Sequence, residues 1–152
     1  MKILDMSCGN RSIWFNKTHP MATYIDIRYN VKPDMVIDSR DMREFSDGIF
    51  DLIVFDPPHV NFGENSNMSK TYGHHTTEQI RQIIKLSAKE SHRVAKPNAF
   101  MAFKWNDHDQ KLPTILKLME NYWEPLFGQH MKNRGGSDAK SQSFWCLLRR
   151  LN

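Results

Sequence analysis

The sequence of 152 residues has few cysteines and no long apolar run. Cys8 and Cys146 are too few for a disulfide framework, and we expect each to be a small buried hydrophobic residue in a cytoplasmic protein. No apolar stretch approaches the ~18 residues that a membrane helix needs, and the first ten residues do not have the apolar segment of a signal peptide. The sequence therefore excludes disulfide-rich, secreted and membrane-spanning classes.

Charge is distributed unevenly along the chain, which has a formal net charge of +4. Residues 126–152 contain five basic residues, among them Lys132 and Arg134, against the single acid Asp138. A basic segment suits a polyanionic partner such as a nucleic acid. The alternative is a solvated surface hairpin, and charge alone leaves both interpretations open.

Short apolar runs alternate with helical patterns over a length typical of one domain. The apolar runs predict five strands, at 2–6, 23–27, 35–38, 51–55 and 99–105. The helical patterns predict long helices at 77–95 and about 110–121, and short helices near 11–17 and 40–45. Two later apolar runs, 124–131 and 143–150, flank a polar loop with a glycine pair and predict an antiparallel hairpin. The order predicts a mostly parallel, doubly wound α/β sheet that ends in this hairpin.

In a doubly wound sheet the ligand lies beyond the carboxyl ends of the strands. The first strand leads into a turn of small residues, whose backbone N–H groups can approach a ligand closely. The residues of this turn are Asp5, Met6, Ser7, Cys8 and Gly9. A plain tight turn between a strand and a helix is the alternative.

Acidic residues also lie at the ends of the second and third predicted strands. Asp26, with Ile27 after it, lies about 20 residues beyond the first turn, where an acid can accept hydrogen bonds from ribose hydroxyls. Asp38 could accept a hydrogen bond from an adenine amino group, and the N–H of Ser39 could reach a ring nitrogen. Asp41 competes with Asp38 for this role, and solvated loop residues are the alternative for all of these acids.

The fourth strand ends in the most specific motif of the chain, Asp56, Pro57, Pro58 and His59. Two prolines stop the strand, remove two N–H donors and hold the preceding residues extended. The Asp56 carboxylate and the Pro57 carbonyl are both pure acceptors, so together they suit an amine with two N–H groups. A rigid turn at the end of a strand is the alternative.

These motifs together resemble the class I S-adenosylmethionine-dependent methyltransferases. The Asp-Pro-Pro motif resembles the amino-methyltransferases that modify N6 of adenine or N4 of cytosine, including small phage-type enzymes. Lys96 and Pro97 lie where that family has a turn before its fifth strand. His59 departs from the usual aromatic residue. We expect one Rossmann-like domain over residues 1–152, with no separate target-recognition domain.

The resemblance implies transfer of a methyl group from S-adenosyl-L-methionine to an exocyclic base nitrogen. Asp56, Pro57, Pro58 and His59 are then the catalytic residues, and the residues after strands one to three, together with Asp56, bind the cofactor. The expected substrate is DNA rather than RNA, with a partner subunit or a second copy of the chain supplying specificity. RNA or protein-glutamine methylation and a non-catalytic nucleic-acid-binding subunit remain alternatives.

Residues around the motif are candidates for substrate contact. Aromatic residues can stack on a base, and basic residues can contact phosphates. These candidates are His59, Phe62, Tyr72, Lys104, Trp105, Lys132 and Arg134. Plain packing is the alternative for Trp105, and a loop without function is the alternative for the segment 60–75. The histidine clusters lack partners at ligand spacing, so we expect no metal.

Overall fold

The computed structural model describes residues 1–59, 75–131 and 142–152. The strands are β1 (Ile3–Asp5), β2 (Ala22–Asp26), β3 (Met35–Val36), β4 (Phe50–Phe55), β5 (Ala95–Asn106), β6 (Trp123–Met131) and β7 (Ser143–Arg150). The helices are α1 (Thr77–Val94) and α2 (Leu112–Lys117), with a 3₁₀ turn at Tyr29–Val31. All five predicted strands and both strands of the predicted hairpin are therefore present.

The strands form one sheet in the order β3-β2-β1-β4-β5-β7-β6. Neighbours from β3 to β5 pair in parallel, whereas β7 pairs antiparallel with both β5 and β6. Strand order reverses at β1, with β2 on one side and β4 on the other. The predicted α/β Rossmann-like fold with a terminal antiparallel hairpin is confirmed.

The long helix α1 begins with the capping box that the sequence predicts. The Thr76 side chain accepts a hydrogen bond from the Gln79 N–H, and the Gln79 side chain accepts one from the Thr76 N–H. Its buried face includes Ile80, Ile84 and Ala88, and each large apolar side chain buried there contributes roughly 1.5–3 kcal/mol. No helix within the described ranges is long and apolar enough to cross a membrane.

The predicted short helices near 11–17 and 40–45 are wrong, because both segments fold as turns. Arg11 has a left-handed φ of 54° and interrupts the first segment. In the second segment, the Met42 N–H donates to Glu90 and the Met42 carbonyl accepts from Arg93, both on α1. These backbone groups therefore bond to side chains of α1 instead of forming a helical ladder.

Two further boundaries differ from the prediction by more than two residues. Helix α2 covers only Leu112–Lys117 of the predicted 110–121, because turns follow it as far as β6. Strand β5 begins at Ala95, directly after α1, rather than at residue 99. Asn98, with a left-handed φ of 65°, lies where the pairing of β4 with β5 jumps from Ala95 to Phe100.

The main core lies on one face of the sheet, where alternate residues of β4, β5 and β7 are buried together with the inner face of α1. The Trp123 indole packs fully buried under α1 and donates to the Ala88 carbonyl and the Ser91 hydroxyl, at 3.1 Å in both cases. Cys8 and Cys146 are both buried free thiols, as expected.

Candidate active site

Four charged side chains lie where the carboxyl ends of neighbouring strands meet. Asp5 and Asp26 end β1 and β2, Asp56 follows β4, and Lys104 lies near the end of β5. Because these strands are parallel, their carboxyl ends lie along one edge of the sheet. This edge includes the point where strand order reverses, which is the usual ligand position in an open α/β sheet.

Asp5 is fully buried at the centre of this edge. The Trp14 indole N–H donates to Asp5 Oδ2 at 2.7 Å, and the Ser7 N–H donates to Oδ1 at 3.3 Å. Burial raises the pKa of Asp5 to about 6, with smaller contributions from the charges of Asp56 and Asp26, although both hydrogen bonds oppose this rise. The three carboxylates are therefore close enough to interact, and they form an acidic cluster.

The turn after β1 joins the neighbouring strands to one another. The Cys8 N–H donates to the Ile25 carbonyl, and the Gly9 N–H donates to Asp26 Oδ2 at 2.9 Å. On the other side, the Ser7 hydroxyl accepts from the Asp56 N–H at 2.9 Å. Gly9 has a φ of 47°, a conformation that suits glycine. Ser7 and Gly9 thereby connect the predicted cofactor turn to both β2 and the Asp56 motif.

Asp26 is buried, and the side chain of Arg28 covers its carboxylate. The Arg28 guanidinium donates to Oδ1 at 2.9 Å and to Oδ2 at 3.0 Å, and the Arg28 N–H also donates to Oδ1. Burial alone would raise the pKa of Asp26, but the hydrogen bonds from Arg28 and Gly9 outweigh it and lower that pKa. Asp26 is thus held ionised, and an incoming pair of hydroxyls would have to share or replace its contacts with Arg28.

The predicted adenine contacts lie beyond β3. The Asp38 carboxylate accepts hydrogen bonds from the Arg40 side chain at 2.6–3.0 Å, and the Ser39 hydroxyl lies 2.8 Å from the hydroxyl of Ser87 on α1. Ile27, after β2, is exposed. Asp38 and Ile27 therefore remain accessible at this edge.

Asp56 presents one bonded and one unpaired carboxylate oxygen. Lys104 Nζ donates to Asp56 Oδ2 at 2.7 Å. Asp56 Oδ1 is buried and has no hydrogen-bond partner. A buried acceptor without a donor is costly, by roughly 1–3 kcal/mol. This unpaired oxygen, in the residue before Pro57, is therefore the feature of the site that best indicates a missing hydrogen-bond donor, such as a ligand N–H group.

His59 folds back over its own motif. Its Nδ1 lies 3.0 Å from the Pro57 carbonyl oxygen and 3.9 Å from Asp56 Oδ1. Because a carbonyl only accepts, Nδ1 carries the hydrogen in the 3.0 Å contact. Burial lowers the pKa of His59, against the opposing charge of Asp56. The neutral imidazole therefore shares the Pro57 carbonyl with any incoming donor.

Trp105 is buried beside the Asp56 motif, which favours the packing alternative over a contact with substrate. Its side chain is fully buried and lies 6.1 Å from the Phe103 ring in a stacked geometry. The indole N–H donates to the Gln110 carbonyl, and the His59 ring meets Trp105 edge-on at 6.0 Å. Trp105 is therefore a packing residue that supports His59.

Several predicted substrate contacts lie outside the described residues. They are Phe62, Tyr72, Lys132 and Arg134. In the parts of the chain that are described, no group of three or more histidine, cysteine or acidic side chains could hold a metal ion. His108 Nδ1 instead lies within hydrogen-bond distance of Asp109 Oδ1, at 2.7 Å.

A groove of about 470 Å³ lies away from this edge, beside the end of α1 and the start of β5. Its lining includes His92, Arg93, Tyr122 and Arg150. None of the residues in the predicted cofactor turn or the Asp56 motif contributes to it. We therefore locate the site by the strand ends and the unpaired Asp56 oxygen.

The fold is similar to that of several solved proteins. A protein from Pyrococcus horikoshii OT3 is 15% identical, with a TM-score of 0.68. The match covers 99% of this chain and 82% of that protein. N-methyltransferase NodS from Bradyrhizobium japonicum WM9, solved with S-adenosyl-L-homocysteine, is 14% identical with a TM-score of 0.62, covering 99% of this chain and 78% of NodS. A SAM-dependent methyltransferase from Methanosarcina mazei is also 14% identical, with a TM-score of 0.62 and coverage of 99% and 92%.

No protein-family profile matches the chain, and no curated protein matches it in sequence. Two of these three solved proteins are methyltransferases by name, and this chain shares the Rossmann-like fold of all three. At such low identity the likeness establishes the fold alone. The activity has to be argued from the residues of the site.

Proposed function

We propose that this protein is an S-adenosylmethionine-dependent N-methyltransferase that acts on an exocyclic amine of a nucleic-acid base, with adenine N6 or cytosine N4 of DNA favoured. The observation that carries the proposal is the buried, unpaired Oδ1 of Asp56 beside the Pro57 carbonyl. An aromatic amine offers two N–H donors in one plane, and this pair of acceptors is able to hold both.

The carboxyl edge also has residues that fit the cofactor. Bound S-adenosylmethionine supplies a methyl group on a sulfonium cation. Asp26 would accept from the ribose hydroxyls, and Asp38 would accept from the adenine amine. The acidic cluster of Asp5, Asp26 and Asp56 favours a cationic ligand, since their mutual repulsion is relieved when a cation binds. The neighbour solved with the demethylated cofactor supports this assignment.

Asp56 and Pro57 would act on the nitrogen of the substrate. The lone pair of an aromatic amine is delocalised into the ring, so the amine is a weak nucleophile. Hydrogen bonds to Asp56 Oδ1 and the Pro57 carbonyl concentrate electron density on the nitrogen and strengthen as it becomes positive. The nitrogen–carbon bond forms as the carbon–sulfur bond breaks, and the product amine then releases one proton to solvent. The protein thus contributes mainly positioning and electrostatic stabilisation.

Two measurements test the proposal. Calorimetry with S-adenosyl-L-homocysteine tests cofactor binding, and transfer of a radiolabelled methyl group to denatured DNA, duplex DNA, total RNA and a protein pool identifies the substrate class. We expect Asp56→Ala to lower transfer at least ~10²-fold, the guide being loss of one preorganised electrostatic contact. The affinity of this variant for the cofactor is expected to change less than about tenfold, because the proposed contacts with the ribose and the adenine lie at the ends of β1 to β3 and are kept.

Asp51→Ala is the matched control, because Asp51 lies at the opposite end of the same strand and pairs with Lys96 at 2.8 Å. We expect it to leave transfer unchanged. Absence of cofactor binding by the wild-type protein would contradict the methyltransferase proposal. Binding without transfer to any pool would instead favour a non-catalytic subunit, and labelling of RNA or protein alone would reassign the substrate.

A further inference from the structure

Lys104 and Asp56 form the ion pair closest to the proposed chemistry. Their side chains are 25% and 20% exposed, and Nζ lies 2.7 Å from Oδ2. At this burial, a charge-assisted hydrogen bond is stronger and better ordered than an exposed pair on the surface. The pair therefore fixes the orientation of the Asp56 carboxylate.

The sheet register explains why these two residues meet. Phe55 on β4 pairs with Phe103 on β5 in parallel. Asp56 and Lys104 are each one residue further on, so Asp56, directly after β4, lies beside Lys104, which is still within β5. On its other side, Lys104 is opposite Trp145 of β7. Lys104 is thus held between two strands, and its ammonium group bonds to Asp56 rather than extending towards a phosphate.

The orientation matters because Asp56 has a competing donor nearby. His59 Nδ1 lies 3.9 Å from Oδ1, the oxygen that has no partner. If the carboxylate were free to turn, it could accept the His59 N–H and lose the acceptor that the substrate amine requires. Lys104 opposes this rearrangement in two ways, because it anchors Oδ2 and neutralises part of the carboxylate charge that attracts an imidazole.

We propose that Lys104 is a positioning residue, which anchors Oδ2 of Asp56 and thereby keeps Oδ1 free of His59 and available to the substrate amine. This inference deepens the proposed function and rests on it. It replaces the expectation that Lys104 contacts the substrate directly.

The direct test is an NMR titration of His59 in the protein without ligands, with its resonance assigned by comparison with His59→Gln. Among the described residues, the charged groups that act most on His59 are Asp56, Lys104 and Asp109. The charge of Lys104 lowers the pKa of His59, and that of Asp56 raises it. We expect Lys104→Met to raise the His59 pKa by about half a unit or more, because the cation is lost and the carboxylate can turn towards the imidazole.

Lys96→Met is the matched control. Lys96 lies on the same strand, pairs with Asp51 at 2.8 Å, and is far from His59 along β5. We expect its His59 pKa to equal that of the wild type. Lys104→Gln retains a neutral donor and serves as a second variant if Lys104→Met does not give a native spectrum. An unchanged His59 pKa in a folded Lys104 variant would overturn the inference.

Kinetics provide the second measurement, on the nucleic-acid pool that the wild type labels. We expect Lys104→Met to lower the single-turnover rate by roughly tenfold or more while the substrate KM and cofactor affinity change less than about threefold. A rise in KM with an unchanged rate would instead make Lys104 a substrate contact. Failure of the wild type to bind S-adenosyl-L-homocysteine would remove the proposed function, whereas an unchanged His59 pKa would contradict the role of Lys104 independently of cofactor binding.

Discussion

Asp5 is a carboxyl group buried in the protein, although its ionised form is more stable in water. The side chain is fully buried, and its pKa rises to about 6 from a model-compound value of 3.8. The folded protein therefore binds more protons than the unfolded chain between these two pH values. The free energy of unfolding consequently falls as the pH rises through this interval, and the loss is complete above it.

We expect Asp5→Asn to stabilise the protein at neutral pH. Asparagine does not bury a charge, and its single amide oxygen can still accept from the Trp14 indole, whereas the weaker 3.3 Å contact from the Ser7 N–H is lost. A shift of about two units corresponds to roughly 2–3 kcal/mol of unfolding free energy. Urea denaturation from pH 4 to pH 8 should show the difference between variant and wild type growing with pH.

Asp51→Asn is the control with the opposite sign. Hydrogen bonds from Lys96 and the Lys2 N–H lower the pKa of Asp51, so its contribution to stability is present at neutral pH and lost in acid. The asparagine variant is therefore expected to be less stable than the wild type at pH 7. A pH-independent difference for Asp5→Asn would contradict burial of an ionised carboxylate.

The sequence predicts the acidic residues of the site better than the side chains that form hydrogen bonds with them. Asp26 and Asp56 could be found because Asp26 ends an apolar strand and Asp56 directly follows one, and such strands can be recognised locally. The contact of Lys104 with Asp56 could not, since it depends on the register between strands separated by α1. The contact of Trp14 with Asp5 likewise depends on how the chain turns after β1.

At the scale of elements, the strands were predictable and the short helices were not. A short and nearly continuous apolar run such as β4 is typical of a strand that is buried in a parallel sheet. Around residues 40–45 the sequence also has helical periodicity, but α1 supplies Glu90 and Arg93 to bond the backbone of Met42. A tertiary contact of this kind has no local signature, so periodicity gives the wrong element there.

Gly128 allows the close pairing of β6 and β7. A Cβ atom at this position would lie 2.9 Å from the Cys146 sulfur and 3.1 Å from the Trp145 carbonyl oxygen. We expect Gly128→Ala to destabilise the protein by about 1–3 kcal/mol, because Cys146 is buried and its strand is paired on both sides. Urea denaturation of the purified variant measures this change.

The double variant Gly128→Ala/Cys146→Ala tests whether the loss of stability comes from the contact between the new Cβ atom and the Cys146 sulfur. Removing the sulfur relieves the shortest contact, whereas the contact with the Trp145 carbonyl remains. We therefore expect the double variant to lose less stability than the sum of the two single variants. Strict additivity would mean that the sulfur does not cause the loss.

At the scale of the whole molecule, the hairpin and the Asp56 motif meet at one edge of the sheet. Asn106 at the end of β5 pairs with Ser143 at the start of β7, and Ser143 also pairs with Met131 at the end of β6. The chain therefore leaves β6 and returns to β7 at the edge where β4 ends. The intervening sequence contains Lys132, Arg134 and Lys140. The described residues on either side of this sequence therefore lie at the same edge of the sheet as the candidate active site.

This arrangement leads us to expect that the basic segment contacts nucleic-acid phosphates. Affinity for single-stranded DNA should then fall with salt, with a slope of about −0.7 per phosphate contact on a double-logarithmic plot. Replacing Lys132, Arg134 and Lys140 by alanine should flatten that slope by about two units if all three make contact. Fluorescence anisotropy at several salt concentrations measures both slopes. Substitution of Lys85, Lys89 and Lys117 on the helices removes the same charge elsewhere and should change the slope little. An equal effect of the two triple variants would mean that net charge, and not the segment beside the Asp56 motif, attracts the nucleic acid.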